Sequence, residues 1–526
     1  MLDVLKDFIL NKNDSKFFIY IYLFILGGVN TFSFAPYDIW GIVFFTFAAF
    51  FALLDNTNEP KNMFLYGFTF GFGWFTFGLS WIHVGLAVYG GTPLFFTILF
   101  VMGVFSLLSL VPALSALFTH YYKAKFGFPI FIVFWVFCEW LRTWLLTGFP
   151  WLTIGYSQME SPFGGFAPIF GEIGIQTIML CTSYLIYKAF VNISKEKTIL
   201  SASKNIAPII AILLIAIGTN QITWIEEKKK DLTVTLVQGN IDQGEKWNIE
   251  YENSIMDKFL NLSKPHFDES DLIIWSEAAI PRIESYSSIF LRNLNDLAYK
   301  TDTAVVLGIM DTKLDTKKSY NNIIVAGKKD EKGFEGDYHY DNDNRYQKHH
   351  LLLIGEFVPF EELLRGITPL FNLPMSSLSK GDAIQDNIVA NGWKIASAIC
   401  FEIVFPTLFL DNVYSGDDGT DFLLTVGNET WFGINRGLWQ HVQIAQMRSK
   451  EFAKPTMRVS NTGVTAIIDH NGEILEYLPL FEDGTLTKTM PIYKSETFYQ
   501  NYGRIPNYIF LFILMSFCYY RKSIKK

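Results

Sequence analysis

A chain of 526 residues is too long for one ordinary domain, and half of it is apolar, with 50 Phe and 25 Tyr. Charged residues make up only 18%, below the roughly 25% of a typical soluble protein, so a membrane part joined to a soluble part is expected. The net charge of −8 argues against nucleic acid as a partner, which calls for a clustered basic face.

A membrane-crossing helix needs about 20 mostly apolar residues. Candidate segments lie near 17–35, 39–54, 63–82, 93–118, 127–146, 172–191 and 205–224, with an eighth near 505–520. Within the fifth, Glu139 and Arg142 stand one helical turn apart, and charges at that depth usually pair or face a protein interior. Lysines and arginines cluster before the first segment, in alternate connections (Lys61; Lys123 and Lys125; Lys195, Lys197 and Lys204) and at the C-terminus. The intervening connections near 36–38, 83–92 and 147–171 contain none. The positive-inside rule then predicts cytoplasmic termini and an outer domain between the seventh and eighth segments. A competing reading takes the lysines, the apolar core and Ser33-Phe34-Ala35 as a cleavable signal peptide; that would break the charge alternation. The expected organisation is a seven-helix bundle over 1–226, a soluble domain over 227–495, and an eighth helix with a basic tail over 496–526.

The texture changes near residue 228. Short runs such as LTVTLVQGN, DLIIWSE, TAVVLGIMD, KIASAIC and DFLLTVGN alternate with helix-compatible stretches such as ENSIMDKFLNLSK. Continuous apolar strands alternating with helices predict an α/β domain with buried sheets. Cys138, Cys181 and Cys518 sit in apolar segments, which leaves Cys400 as the single thiol of the soluble region. Three apolar runs end in polar residues: IIWSEAAIP presents Glu277, RYQKHHLLLIGEFVPF presents Lys348 and Glu356, and AICFEIVFP presents Cys400 and Glu402. A thiol, an ammonium and a carboxylate brought together make a nucleophilic site for acyl transfer. Cys400 would attack, because only a thiolate attacks well and a nearby cation lowers the thiol pKa. Lys348 would supply that charge and bond the tetrahedral oxygen, beside a backbone N–H near Phe401. Glu277 would be the base, with Glu356 and Glu402 positioning the lysine or the base. Taken singly, each also reads as an ordinary strand-end or surface residue; the combination is the signal.

VQGNIDQGEKW, IIWSEAAIP, YQKHHLLLIGEFVPF, AICFEIVFP and LLTVGNETWFG follow one another in an order that resembles the nitrilase (carbon–nitrogen hydrolase) superfamily, and within it the apolipoprotein N-acyltransferases. FAPYDIWGI and EWLRTWLLTGFPWLTIGYSQ in the apolar part resemble the same family, so the likeness covers almost the whole chain. It implies an αββα sandwich outside a membrane bundle of about eight helices, in a bacterial inner membrane with the catalytic domain in the periplasm. The base falls on Glu277, the lysine on Lys348, the nucleophile on Cys400, a second essential acid on Glu356, and the acid after the nucleophile on Glu402. Trp247 matches the KW motif, and Asn428 and Trp431 match the N-x-x-W-F-G turn. Phe401 stands where Tyr is expected and Glu429 where Asp is commoner. The implied reaction is ping-pong through a thioester, with membrane phospholipid as donor and diacylated apolipoprotein as acceptor. The enzyme is expected to act as a monomer, with no cofactor and no metal; His349, His350 and His441 read as structural or surface residues.

Residues 360–378 are rich in apolar side chains, and Leu363, Leu364, Ile367, Leu370 and Phe371 are expected to form a lid dipping toward lipid, against the alternative of core packing. GFPWLTIGYSQ either lines a lipid path or packs under the soluble domain. Two rival functions share parts of the pattern: an anchored amide hydrolase with the same triad, and a transporter with an outer regulatory domain, for which no repeat symmetry is visible.

Overall fold

The computed structural model describes residues 15–313, 315–330, 336–352, 355–357, 378–412 and 419–524. The chain divides into two compact units, one of residues 1–83, 93–222 and 501–526 and the other of 84–92 and 223–500. Segment 84–92, assigned to the bundle on sequence, therefore belongs with the sheet-containing unit. There Tyr89 meets Trp431 edge-on, with ring centroids 5.5 Å apart.

The first unit is helical. Each of the eight apolar segments contains a helix: Ser15–Val29, Ile42–Asp55, Pro60–Gly78, Leu94–Leu108 continuing as Leu110–Phe126, Ile130–Arg142, Ala167–Glu196, Ser203–Thr219 and Ile505–Ile524. Length and hydropathy together single out fewer. Among the described residues three helical stretches, 94–126, 162–196 and 199–219, are long and apolar enough to cross a membrane, or four if the pair 60–78 and 82–89, bent by 62°, counts as one. These criteria do not single out all eight segments, because several helices are shorter than their apolar runs: Ile130–Arg142 has only 13 residues. Glu139 and Arg142 are both buried and pair at 2.5 Å. The guanidinium also donates to the carbonyls of Phe149 at 3.0 Å and Trp151 at 2.6 Å. A buried guanidinium needs this many acceptors to offset lost hydration, and here they draw the GFPWLT segment onto the helix end. That segment is buried inside this unit at Trp151, Leu152 and Thr153.

The second unit is built on two six-stranded sheets. Strands β1 (Ile225–Gln238), β2 (Leu272–Trp275), β3 (Ala304–Lys313), β4 (Lys318–Gly327) and β5 (Arg345–Gln347) precede β6 (Ile388–Ala390), β7 (Trp393–Ile399), β8 (Phe422–Gly427), β9 (Thr456–Ser460), β10 (Ala466–Ile468), β11 (Ile474–Tyr477) and β12 (Gly484–Ser495). The sheet orders are β12-β1-β2-β3-β4-β5 and β11-β10-β9-β8-β7-β6. β1, β2 and β3 run parallel, as do β7, β8 and β9. Apolar–polar alternation is absent from central strands such as β2 and β8, every residue of which is buried, because both of their faces are covered. Leu236, Ile274 and Val306 of one sheet pack with Ile395, Leu424 and Met457 of the other. The outer face of the first sheet, through Ile273, Val305 and Ile324, packs on helices Glu252–Ser263 and Ser288–Lys300. Helix Arg436–Phe452 covers Val464 and Ala466 on the second. The result is the expected αββα order. Each apolar side chain fully buried in such a core contributes about 1.5–3 kcal/mol, and the parallel central strands bring their C-terminal ends to one edge.

Candidate active site

Four strand ends meet at that edge. Glu277 follows β2 by two residues, Lys348 directly follows β5, Cys400 directly follows β7, and Asn428 directly follows β8. Strand termination at two of them is sharp: Cys400 has φ +53° and Ala278, after Glu277, has φ +45°. Left-handed backbone at non-glycine residues costs free energy and persists only where its surroundings enforce it. Gly308 on β3 is one enforcing element. A Cβ there would lie 2.5 Å from the Ala278 nitrogen and 2.8 Å from the Glu277 Cα, so only glycine admits the Glu277 turn.

The Glu277 carboxylate is gripped from two sides. One oxygen accepts from Asn321 Nδ2 at 2.8 Å and faces Lys348 Nζ at 3.5 Å; the other accepts the Asn428 backbone N–H at 2.9 Å. Lys348, fully buried, bonds Glu356 Oε1 at 2.7 Å. The second oxygen of Glu356 accepts the Leu352 N–H at 2.9 Å. Burial works against the Lys348 charge, but Glu356 and then Glu277 outweigh it, and the ammonium is held well above its usual range. Glu402 joins the lysine loop to the cysteine turn. Its Oε1 accepts the N–H groups of His349 and His350 at 2.7 and 2.8 Å, and its Oε2 accepts the Ile399 N–H at 2.8 Å and the Tyr346 hydroxyl at 2.9 Å. Burial still pushes its carboxyl up to about 7.

Cys400 is half-buried. Burial first, then the charge of Glu277, push its thiol up; Lys348 pulls the other way and does not prevail. Lys348 lowers the thiol pKa as expected, but burial and then Glu277 outweigh it, so at rest the sulfur keeps its proton. Attack therefore needs a base, and Glu277 is the carboxylate with the strongest hold on that thiol.

Of the remaining expected residues, Trp247 is partly exposed on the turn after helix Gln243–Lys246. Asn428 bonds Gln243 at 2.8 Å. Phe401 is buried edge-on against Phe405, ring centroids 5.3 Å apart, so the position that lacks a hydroxyl sits among apolar neighbours. The lid residues Leu363, Leu364, Ile367, Leu370 and Phe371 lie outside the described residues. No group of acidic, His or Cys side chains suited to a metal occurs among the described residues.

Sequence reasoning missed two features. Lys246 is buried and donates to the Glu277 carbonyl at 3.0 Å; its place beside Trp247 in the KW pair was the available signal. Glu429, His441 and Arg458 form a buried cluster beneath the nucleophile. His441 Nδ1 meets Glu429 Oε1 at 2.5 Å, Arg458 pairs with the same oxygen, and His441 bonds the Cys400 backbone. His441 is thus neither a surface residue nor remote from the site. Burial raises the Glu429 carboxyl, but Arg458 and then His441 reverse this and bring it to about 2.

Residues 26–185 match the apolipoprotein N-acyltransferase N-terminal domain, and residues 233–497 match the carbon-nitrogen hydrolase family. The apolipoprotein N-acyltransferase of Shewanella oneidensis is 38% identical over 514 residues, 96% of each chain. The chain belongs to the apolipoprotein N-acyltransferase family. Relatives with the same name are 38% identical in Photobacterium profundum, over 92% of this chain and 91% of the relative, and 34% identical in Haemophilus influenzae, over 95% of each. Membership of this family accounts for an acyltransferase site on a nitrilase-like fold and for a lipoprotein as acceptor.

Proposed function

We propose that the protein moves a fatty acyl chain from a membrane phospholipid, at the sn-1 position, to the α-amino group of the N-terminal diacylglyceryl-cysteine of an apolipoprotein, through a thioester on Cys400. The observation that carries this reading is the convergence of Glu277, Lys348, Glu356 and Cys400 on one edge of the two sheets in a chain of this family. Glu277 takes the thiol proton as the sulfur attacks the ester carbonyl carbon. The carbonyl electron pair moves to oxygen, where Lys348 donates. The C–O bond to glycerol then breaks, and Glu277 protonates the leaving alkoxide, releasing lysophospholipid. In the second half the acceptor amine attacks the thioester, gives its proton to Glu277, and the sulfur leaves and is reprotonated. Glu356 holds the lysine toward the site, and Glu402 fixes the loop that carries it.

Both substrates are lipids, so a site tethered to the bilayer meets them far more often than a free one. Apolar helices in the first unit and the alternation of basic loops support an inner-membrane protein with eight spans, cytoplasmic termini and a periplasmic catalytic domain. A monomer suffices, since every residue invoked comes from one chain.

Mass spectrometry of the purified protein after exposure to phosphatidylethanolamine tests the reading. A hydroxylamine-sensitive acyl mass on Cys400 is expected, absent in Cys400→Ala. The acyl group should then appear on the amine of an added diacylglyceryl-cysteine peptide. If Cys400→Ala transfers acyl groups at the native rate, or if the adduct is discharged only to water, the proposal is wrong.

A further inference from the structure

Lys246 is a buried ammonium that the reaction steps above do not use. It is 2% exposed, and among the described residues it makes one hydrogen bond, to the Glu277 carbonyl at 3.0 Å. No carboxylate among them lies within ion-pair distance of it, whereas Lys348 has two. The short helix Gln243–Lys246, capped by Asp242 on the Gly244 N–H at 2.7 Å, turns the side chain inward. Asn428 anchors that turn to the end of β8 through Gln243. A buried cation with one neutral acceptor is costly, and proteins retain such groups where charge must be met during a reaction.

Charge balance shows what it meets. Glu277, Glu356 and Lys348, with a neutral thiol and with Glu402 protonated below its value of about 7, leave the site at −1. The charge of Glu429 is compensated separately by Arg458. Adding Lys246 brings the site to zero. Burial pulls its ammonium down to about 8, and the groups that sustain the charge are Glu277 and Cys400, the pair between which the proton moves.

We propose that Lys246 is the second cation of the site, a positioning residue whose charge stabilises the sulfur as its proton passes to Glu277. The inference rests on the reading of Cys400 and Glu277 as nucleophile and base. As the S–H bond breaks, its proton joins the Glu277 carboxylate and the electron pair stays on sulfur; Lys246, bonded to the Glu277 carbonyl, favours the transfer without itself giving up a proton. The hydrogen bond to the Glu277 carbonyl keeps the ammonium there.

Alkylation of full-length detergent-purified protein by iodoacetamide at fixed pH reads the thiolate without any lipid substrate, with Cys400→Ala as the blank for the other cysteines. Lys246→Met and Lys246→Gln are each expected to slow alkylation of Cys400 by about tenfold, one unit of thiol pKa, and Lys246→Arg to retain most of the native rate. Glutamine can keep the bond to the Glu277 carbonyl but carries no charge. Native alkylation in Lys246→Gln would show that the hydrogen bond alone matters and would overturn the proposal, as would equal slowing in Lys246→Arg. Lys246→Gln carries the test if Lys246→Met fails to fold. The acyl-adduct experiment reports on the acyl-transfer reading separately, so failure of one is distinguishable from failure of the other.

Discussion

Arg458→Met puts the buried cluster under the nucleophile to a quantitative test. The substitution keeps most of the side-chain volume and removes the charge that faces Glu429, in a place where both side chains are at most 2% exposed. Two routes give the cost. Breaking a buried pair by removing one partner typically costs about 3–5 kcal/mol, because the other charge is left uncompensated. A carboxyl held at about 2 rather than 4.5 favours its ionised form by about 3 kcal/mol. The agreement sets the expectation at about 3–4 kcal/mol near neutral pH, or about 6–16 °C in melting temperature at roughly 2–4 °C per kcal/mol. Because the folded-state value lies below the unfolded one, this stabilisation is present above about pH 4.5 and is lost as pH falls toward 2. The deficit of the variant should therefore shrink as pH falls below 4.5. Glu429→Gln combined with Arg458→Met should recover much of the loss. Thermal unfolding by intrinsic fluorescence, across pH and for the single and double variants, measures all of this. A deficit under about 1 kcal/mol, or a double variant no better than the single, would refute the reasoning.

Glu402→Gln should flatten a second pH dependence: with the folded carboxyl at about 7 against an ordinary 4.5, the native protein keeps a proton that the unfolded chain has lost. Its stability should fall by about 3 kcal/mol as pH rises from 4.5 to about 7, and melting scans of the variant should lack that fall. Gly308→Ala should depress acyl-enzyme formation at least tenfold, since the added methyl meets backbone at the Glu277 turn and a 1 Å misplacement can cost about a hundredfold; burst kinetics at wild-type level would contradict it. Glu356→Gln removes the 2.7 Å ion pair of a buried lysine and should cost about 2–4 kcal/mol of stability along with most of the acyl-transfer rate. Measuring both in one preparation separates a positioned lysine from an idle one, because an idle lysine would lose stability alone.

The residues that carry the chemistry were legible one by one, because Glu277, Lys348 and Cys400 stand at the ends of the short runs IIWSE, RYQK and SAIC. Apolar segments likewise predicted where helices form, since helix and burial both follow from local hydropathy. Helix length did not follow, because an apolar run such as 127–146 continues past Arg142, where the α-helix ends. Nor could local pattern show that Lys348 is shared by two carboxylates, that the thiol rests protonated, or that Lys246 and Arg458 lie against residues 31 and 29 positions away. Chain order sets which side chains exist and how each strand ends. Pairing between distant strands alone decides which charges share a low-dielectric space, and those charges govern the protonation state of the sulfur.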